Sequence, residues 1–402
     1  MRWGSALSRA AGAAAALEEA GAEAARQLDG ERADLVVVFA SSHHAGACDL
    51  LAGLAARRFP TALLVGCTAG GVIGGAREAE DGPALSVTAA ALPRVALAPF
   101  HVDALSLPDP AAGGEAWRAR IGAPVRADPK LLLLLDPFTI DAHALLAGLD
   151  AAFPRAPKFG GLASGGRRPG ENRLLLGAAV HRSGAIGVAF TGDLAVDTVI
   201  AQGCRPVGKP MLVTRCHENV AQELDGRRPI EVLTELYQSL EPADRELMQH
   251  SLFLGLDMRE ERIEFDPSEL LVRNLIGVDE SSGALAVGAR LHPMGVVQFV
   301  LRDAGAADAD LRRMLDRQAG TPAPSGALLF SCLGRGAGLF GRPDHDTDLF
   351  QEKLGPAPLG GFFCNGEIGP VGATTFLHGY TSAFAIFREG GAPPAPRRGR
   401  GS

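Results

Sequence analysis

The stretch Pro358-Leu359-Gly360-Gly361-Phe362-Phe363-Cys364-Asn365-Gly366-Glu367-Ile368-Gly369-Pro370 decides the fold reading. An apolar segment that breaks into glycines and then into polar residues reads as a buried strand ending in a tight turn. Before it, 326–332 (GALLFSC) has the continuous apolar character of another buried strand, and 346–353 has the length of a short helix. After it, 380–387 (YTSAFAIF) reads as a last strand. The order is strand, helix, glycine turn, strand.

Two earlier segments follow the same order. In the first, the strand 34–40 (DLVVVFA) precedes a helix over 45–58 that Pro60 stops, then TALLVGCTAGGVIGG (61–75), then a strand at 84–92. In the second, the strand 130–136 (KLLLLLD) precedes a helix at 141–152, then KFGGLASGG (158–166), then strands at 174–180 and 185–190. The spacing is too long and irregular for a solenoid. With 51 glycines in the chain, chance is the plain alternative, but the shared order of elements favours duplication. The expected class is α/β (α+β): two modules of mixed β-sheets flanked by helices, built from repeated strand-helix-Gly-turn-strand units.

A different segment lies between the second and third copies. Pro229 opens a helix over 230–240, strands follow near 269–276, 284–288 and 295–301, and 306–318 reads as a helix. Gly203, Pro206, Gly208 and Pro210 mark the weakest patch. The expected division is therefore an N-terminal helix at 1–30, a module at 31–200, a linker at 201–218, a module at 219–388 and a disordered basic tail at 389–402. For 1–30 the alternatives are an amphipathic Ala-rich helix, favoured by Leu7, Ala10, Ala14, Leu17, Ala24 and Leu28 at helical spacing, and a short signal peptide.

Composition narrows the function. The 402 residues are 47% hydrophobic and 21% charged, enough apolar content for ordinary cores, which excludes wholesale disorder. A net charge of −7 gives no electrostatic basis for nucleic-acid binding. No apolar run approaches the roughly 18–20 residues that span a bilayer, so no membrane partner is expected. The six cysteines (48, 67, 204, 216, 332, 364) are scattered without a C-x-x-C, which reads as reduced thiols in the cytoplasm.

The glycine turns lack both the P-loop and the G-x-G-x-x-G pattern, so no nucleotide cofactor is expected. Glycines after a strand let a small ligand approach backbone N–H groups; tight turning alone is the competing explanation. Asn365, Gly366 and Glu367 beside Cys364 place convergent polar groups after an apolar strand, with His378 and Tyr380 at the start of the next. The plain alternative is an Asn-Gly hairpin turn. From the first turn, Cys67, Thr68 and Gly70 join the set. These nine residues are the expected ligand site, with Asn365, Glu367 and His378 at its mouth. Cys67 and Cys364 invite a nucleophile reading with His43, His44, His345 or His378 as base, but a free cysteine is more often a small buried hydrophobe. His43-His44…Cys48 and Asp344-His345-Asp346 do not have zinc-like spacing, and Asp346 and Asp348 fit better as a cap and dipole partners of the following helix. No catalytic or metal-binding residue is expected.

Together these stretches resemble the FIST family, a two-module sensory domain of signal-transduction proteins. The N-module resemblance rests on Val36-Val37-Val38-Phe39-Ala40-Ser41 and Val65-Gly66-Cys67-Thr68-Ala69-Gly70-Gly71-Val72-Ile73-Gly74. The C-module resemblance rests on Leu329-Phe330-Ser331-Cys332-Leu333-Gly334-Arg335-Gly336, Leu339-Phe340-Gly341, residues 360–370 and His378-Gly379-Tyr380-Thr381. The resemblance implies a cytoplasmic sensor that binds a small ligand, such as an amino acid or a derivative, and signals through a protein partner. It implies no enzyme. The competing readings are a cysteine-dependent enzyme acting on a small molecule and an interaction scaffold without ligand. Some relatives carry an F-box, for which the roughly 30 residues ahead of the first module are too few.

Overall fold

A computed structural model describes residues 1–108, 113–122, 128–258 and 270–390. At 27% helix and 40% strand it is the expected mixed α/β fold. The chain forms two compact units. One comprises 1–200, 314–377 and 382–402; the other comprises 201–313 and 378–381.

The first unit contains the three copies. Each holds a parallel strand pair joined by a helix: Leu35–Ser41 with Leu63–Ala69 across Cys48–Arg58, Lys130–Leu135 with Lys158–Leu162 across Ala142–Ala152, and Gly326–Cys332 with Leu359–Cys364 across His345–Leu354. A parallel pair needs such a crossover, which is why the helix recurs in each copy. An antiparallel strand flanks the first member of each pair: Leu85–Ala91, Ala185–Gly192 and Ser382–Glu389. Alternation along the strands sorts their side chains. Val37, Phe39, Leu132, Leu134, Leu328 and Phe330 enter one core shared by the three sheets. Val36 and Val38 face helices Ala13–Gln27 and Cys48–Arg58, while Leu131 and Leu133 face Gly113–Ile121 and Ala142–Ala152.

The registers show which residues correspond. Gly66 pairs with Val38, Gly160 with Leu133 and Gly361 with Leu329. A Cβ on these glycines would lie 1.8, 1.8 and 1.9 Å from the carbonyl oxygens of those same partners. The three glycines therefore occupy one position in three copies, where the neighbouring backbone leaves no room for a side chain.

The strand leaving each turn crosses to another copy. Gly71–Gly74 pairs with Leu359–Cys364, Glu367–Val371 with Lys158–Leu162, and Leu174–Leu176 with Leu63–Ala69. First to third, third to second and second to first, the exchange closes a cycle. Asn365-Gly366 is accordingly not a hairpin: the strands on either side of it lie in different sheets.

The second unit is an antiparallel barrel. Its order runs from Met211–His217 through Val220–Leu224, Leu285–Val287, Leu270–Val278 and Leu252–Asp257 to Val296–Arg302, which pairs back onto Met211–His217 and also onto Cys204–Pro206. Residues 201–218, expected as a linker, thus hold two strands; Gly208 (φ +65°) and Pro210 shape the corner between them. Helices Pro229–Ser239 and Pro242–Ser251 pack on the barrel through Leu236, Val232, Leu233, Leu247 and Met248. Within 1–30 the strand Arg2–Ser8 precedes the helix Ala13–Gln27 and pairs with Leu85–Ala91. Of the expected tail, 391–402 lie outside the described residues.

Candidate functional site

The strand exchange brings the three glycine turns to one point. Gly70, Ser164 and Asn365 are equivalent, each four residues beyond the glycine that fixes the register. The Ser164 amide donates to the Thr68 carbonyl (3.3 Å), and the Asn365 amide donates to the Leu162 carbonyl (3.1 Å). A third bond of this type would run from the Gly70 amide to the Phe363 carbonyl. Instead, Ser164 Oγ accepts from Gly70 N–H at 2.9 Å and donates to Phe363 O. A hydroxyl suits this place because it is donor and acceptor at once. The result is a ring of hydrogen bonds linking copy to copy. Asn365 stands exposed at its edge, and Gly70 and Ser164 are half-buried.

Thr68 anchors the second copy to the ring. Its backbone amide donates to Arg173 O (3.0 Å), and its Oγ1 accepts from Arg173 N–H (2.9 Å). Asn172 Oδ1 accepts from the Gly166 amide (2.7 Å), and its side-chain amide donates to Asp136 (2.8 Å).

A buried charge cluster lies on the third copy. Arg335 extends from Cys332-Leu333-Gly334-Arg335-Gly336 with its side chain wholly buried. Its Nε and Nη2 donate to the two Asp346 oxygens at 2.8 and 2.9 Å, a bidentate pair. The guanidinium lies 5.2 Å over the Phe340 ring, which stacks on His345; His345 Nδ1 is 2.9 Å from Asp346. Burial opposes the Arg335 charge, yet Asp346, with Cys332 and Glu367 behind it, raises its pKa. Burial likewise opposes the Asp346 carboxylate, but Arg335 and His345 hold it well below the usual range. Glu78, buried on the strand Arg77–Ala79, goes the other way. Burial first, and Asp346 next, push its carboxyl up to about 8. It accepts from the Asp344 and Thr347 amides at 3.1 and 3.2 Å. Glu80 accepts from the Ala337 amide at 2.8 Å. Asp346 therefore serves Arg335, and the N-cap of its helix is Asp344.

The expected site residues divide. Cys67, Thr68, Gly70, Cys364, Asn365, Gly366 and Glu367 belong to the first unit; His378 and Tyr380 belong to the second. Of the three residues expected at a pocket mouth, Asn365 is exposed, whereas Glu367 and His378 are buried. Glu367 pairs across the sheet with Gly161. Tyr380, at φ +65°, packs its ring tilted against Phe253 and hydrogen-bonds Asn274. Cys67 and Cys364 lie fully buried in the shared core, and burial pushes both thiols well above their ordinary pKa. Such thiols are not thiolates at neutral pH. None of the six cysteines forms a disulfide, and no group of three metal-ligating side chains assembles among the described residues. No described helix is long and apolar enough to cross a membrane.

Sequence reasoning missed Ser164 as the residue that closes the ring, and missed Arg335, Asp346 and Glu78 as a buried charge cluster. The one signal for Arg335 was a charged residue held between glycines in an otherwise apolar motif.

The FIST N domain model matches residues 34–227, and the FIST C domain model matches 229–370. The chain is 38% identical to an uncharacterized protein of Mycobacterium tuberculosis over 96% of its own length and 100% of that protein. It is 37% identical to an uncharacterized protein of Mycobacterium bovis over 93% of this chain and 95% of that one. An F-box/LRR-repeat protein of Arabidopsis thaliana is 27% identical over 44% of this chain and 36% of its own. Among solved structures, a cyanuric acid hydrolase from A. caulinodans aligns over 96% of this chain and 99% of its own, at 11% identity and a TM-score of 0.34. The chain belongs to the FIST family, whose domains are sensory signal-transduction domains.

Proposed function

We propose that this FIST-family chain is a non-enzymatic cytoplasmic sensor that binds a small polar ligand, an amino acid or a derivative, and signals through a protein partner. One observation carries the reading: the three glycine turns meet in a single hydrogen-bonded ring with the Asn365 amide exposed at its edge. A ligand seated there meets backbone groups of turns that belong to all three copies, so its binding energy bears on the bonds that join them. Asn365 offers a donor and an acceptor, which suits a zwitterion. The buried, protonated thiols of Cys67 and Cys364 favour binding over thiol catalysis.

A thermal-shift screen of amino acids and small carboxylates tests this, since a ligand of the native state raises the midpoint by mass action. Asn365→Ala is expected to weaken a hit by about 1–3 kcal/mol, while Cys364→Ala leaves binding measurable. A hit indifferent to Asn365→Ala, or no hit at all, overturns this site.

A further inference from the structure

The second unit contains a cavity that the reading above does not use. It opens where the barrel strands Met211–His217, Val220–Leu224 and Val296–Arg302 meet the helix Pro229–Ser239, and it measures about 190 Å³. Met211, Leu224, Val232, Leu236 and Phe299 form its apolar wall. The mouth of a barrel is a recurrent place for small-molecule sites.

Its rim is charged, and the charges are unequally satisfied. Arg227 is paired with Glu235 at 2.6 Å. The Asp225 carboxylate accepts the Leu212 amide at 2.8 Å. Lys209 is different. The chain has four lysines. Lys130, Lys158 and Lys353 each pair with an aspartate, whereas Lys209 makes no ion pair among the described residues. It stands on the exposed corner of Gly208 and Pro210; Gly208 is at φ +65°, and a Cβ there would lie 3.0 Å from Leu236. An apolar hollow with one uncommitted ammonium at its mouth has the polarity of a carboxylate attached to a compact apolar body. A hollow of this size has room for a phenyl or branched aliphatic group.

We propose that this barrel-mouth cavity is a second ligand site, distinct from the glycine ring, which takes a small aryl or branched aliphatic monocarboxylate with its carboxylate on Lys209 and its apolar body against Val232, Leu236 and Phe299. Phenylacetate is the probe and phenylacetamide its neutral counterpart, both titrated into the full chain by calorimetry and ligand-observed NMR. Phenylacetate is expected to bind at least about fivefold tighter than the amide, the size of a partly solvent-screened ion pair. Lys209→Gln, a substitution at an exposed position, is expected to abolish that preference. Val232→Phe, which fills the hollow, is expected to remove binding of both. Asn365→Ala is expected to change neither, so this site and the ring stand or fall separately. Equal affinity for acid and amide, a preference that survives Lys209→Gln, or no binding up to about 10 mM would overturn the proposal.

Discussion

Ser164 Oγ lies 2.9 Å from the Gly70 amide nitrogen and accepts its hydrogen bond while donating its own proton to Phe363. One hydroxyl therefore joins all three copies of the repeated unit. Ser164→Ala removes both bonds and leaves a half-buried N–H and a carbonyl without this partner. The expected cost is about 1–3 kcal/mol of unfolding free energy, read from urea denaturation. A change within about 0.5 kcal/mol, as at an ordinary surface position, would mean the ring closes through water instead.

Gly66, Gly160 and Gly361 are expected to tolerate alanine equally badly. In each, the added methyl would sit within 2 Å of a backbone oxygen of the neighbouring parallel strand, which no side-chain rotation relieves. Gly160 and Gly361 also have φ of +145° and +154°, strained for any L-residue. Each single variant should lose more than about 3 kcal/mol or fail to accumulate as folded protein. Gly12→Ala, with open space around its Cβ, is the control. A near-neutral Gly66→Ala would refute the equivalence of the three positions.

The contrast between these residues explains what was legible beforehand. The strands, helices and glycine turns of the three copies follow from local apolar runs and turn chemistry, so Leu35–Ser41, Lys130–Leu135 and Gly326–Cys332 were readable directly. The cyclic exchange was not, because nothing local says that Glu367–Val371 leaves its own copy to pair with Lys158–Leu162. That exchange carries Glu367 into the interior, where sequence reasoning had expected a pocket mouth. The barrel was hidden too: glycine and proline in 201–218 read as a linker, whereas they turn a corner between two strands. Arg335 and Asp346 lie 11 residues apart, and only the loop through Gly336 and Gly341, both at positive φ, folds one onto the other.

Glu78 should give the protein a pH dependence of its own. Its folded pKa of about 8 exceeds the unfolded value of 4.5, so between these values the native state holds more protons than the unfolded one. The contribution is therefore fully present below pH 4.5 and is lost as pH rises through 8. Unfolding free energy is expected to fall by up to about 1.4 kcal/mol per pH unit across pH 6–8 relative to Glu78→Gln. Parallel curves for the two proteins over that range would show that Glu78 is ionised in the native state.

The thiols separate a sensor from a thiol enzyme. Cys67 and Cys364 are buried with pKa values pushed well up, and burial pushes Cys48 up to about 11. Cys204, Cys216 and Cys332 are half-buried. Iodoacetamide on the native protein at pH 7.5, a pH below the ordinary thiol pKa of about 8.5, should label those three first, and denaturation should then expose all six. Rapid stoichiometric labelling of Cys364 in the native state would favour the enzyme reading instead.

The Arg335–Asp346 pair supplies the sharpest test of the buried cluster, because its two halves are predicted to fail differently. Both side chains are almost wholly buried, so each charge depends on the other. Arg335→Met removes the cation and strands the Asp346 carboxylate near Glu78, at an expected cost of about 3–5 kcal/mol. Arg335→Met with Asp346→Asn removes both charges, and is expected to recover much of that loss, since a neutral pair of similar volume avoids the desolvation of two ions. The pH response should invert as well. In the native protein Asp346 is held below its ordinary pKa, so its contribution is present above about pH 4 and is lost as pH falls through the folded value. Without Arg335 the same carboxyl is buried and unpaired, its pKa moves above the unfolded value, and stability falls as pH rises instead. Urea midpoints from pH 4 to pH 8, compared between Arg335→Met and the double variant with both in a Glu78→Gln background, which removes the Glu78 slope, isolate this term. An Arg335→Met curve parallel to that of the double variant would mean that His345 alone holds Asp346 ionised, and that Arg335 is not its essential partner.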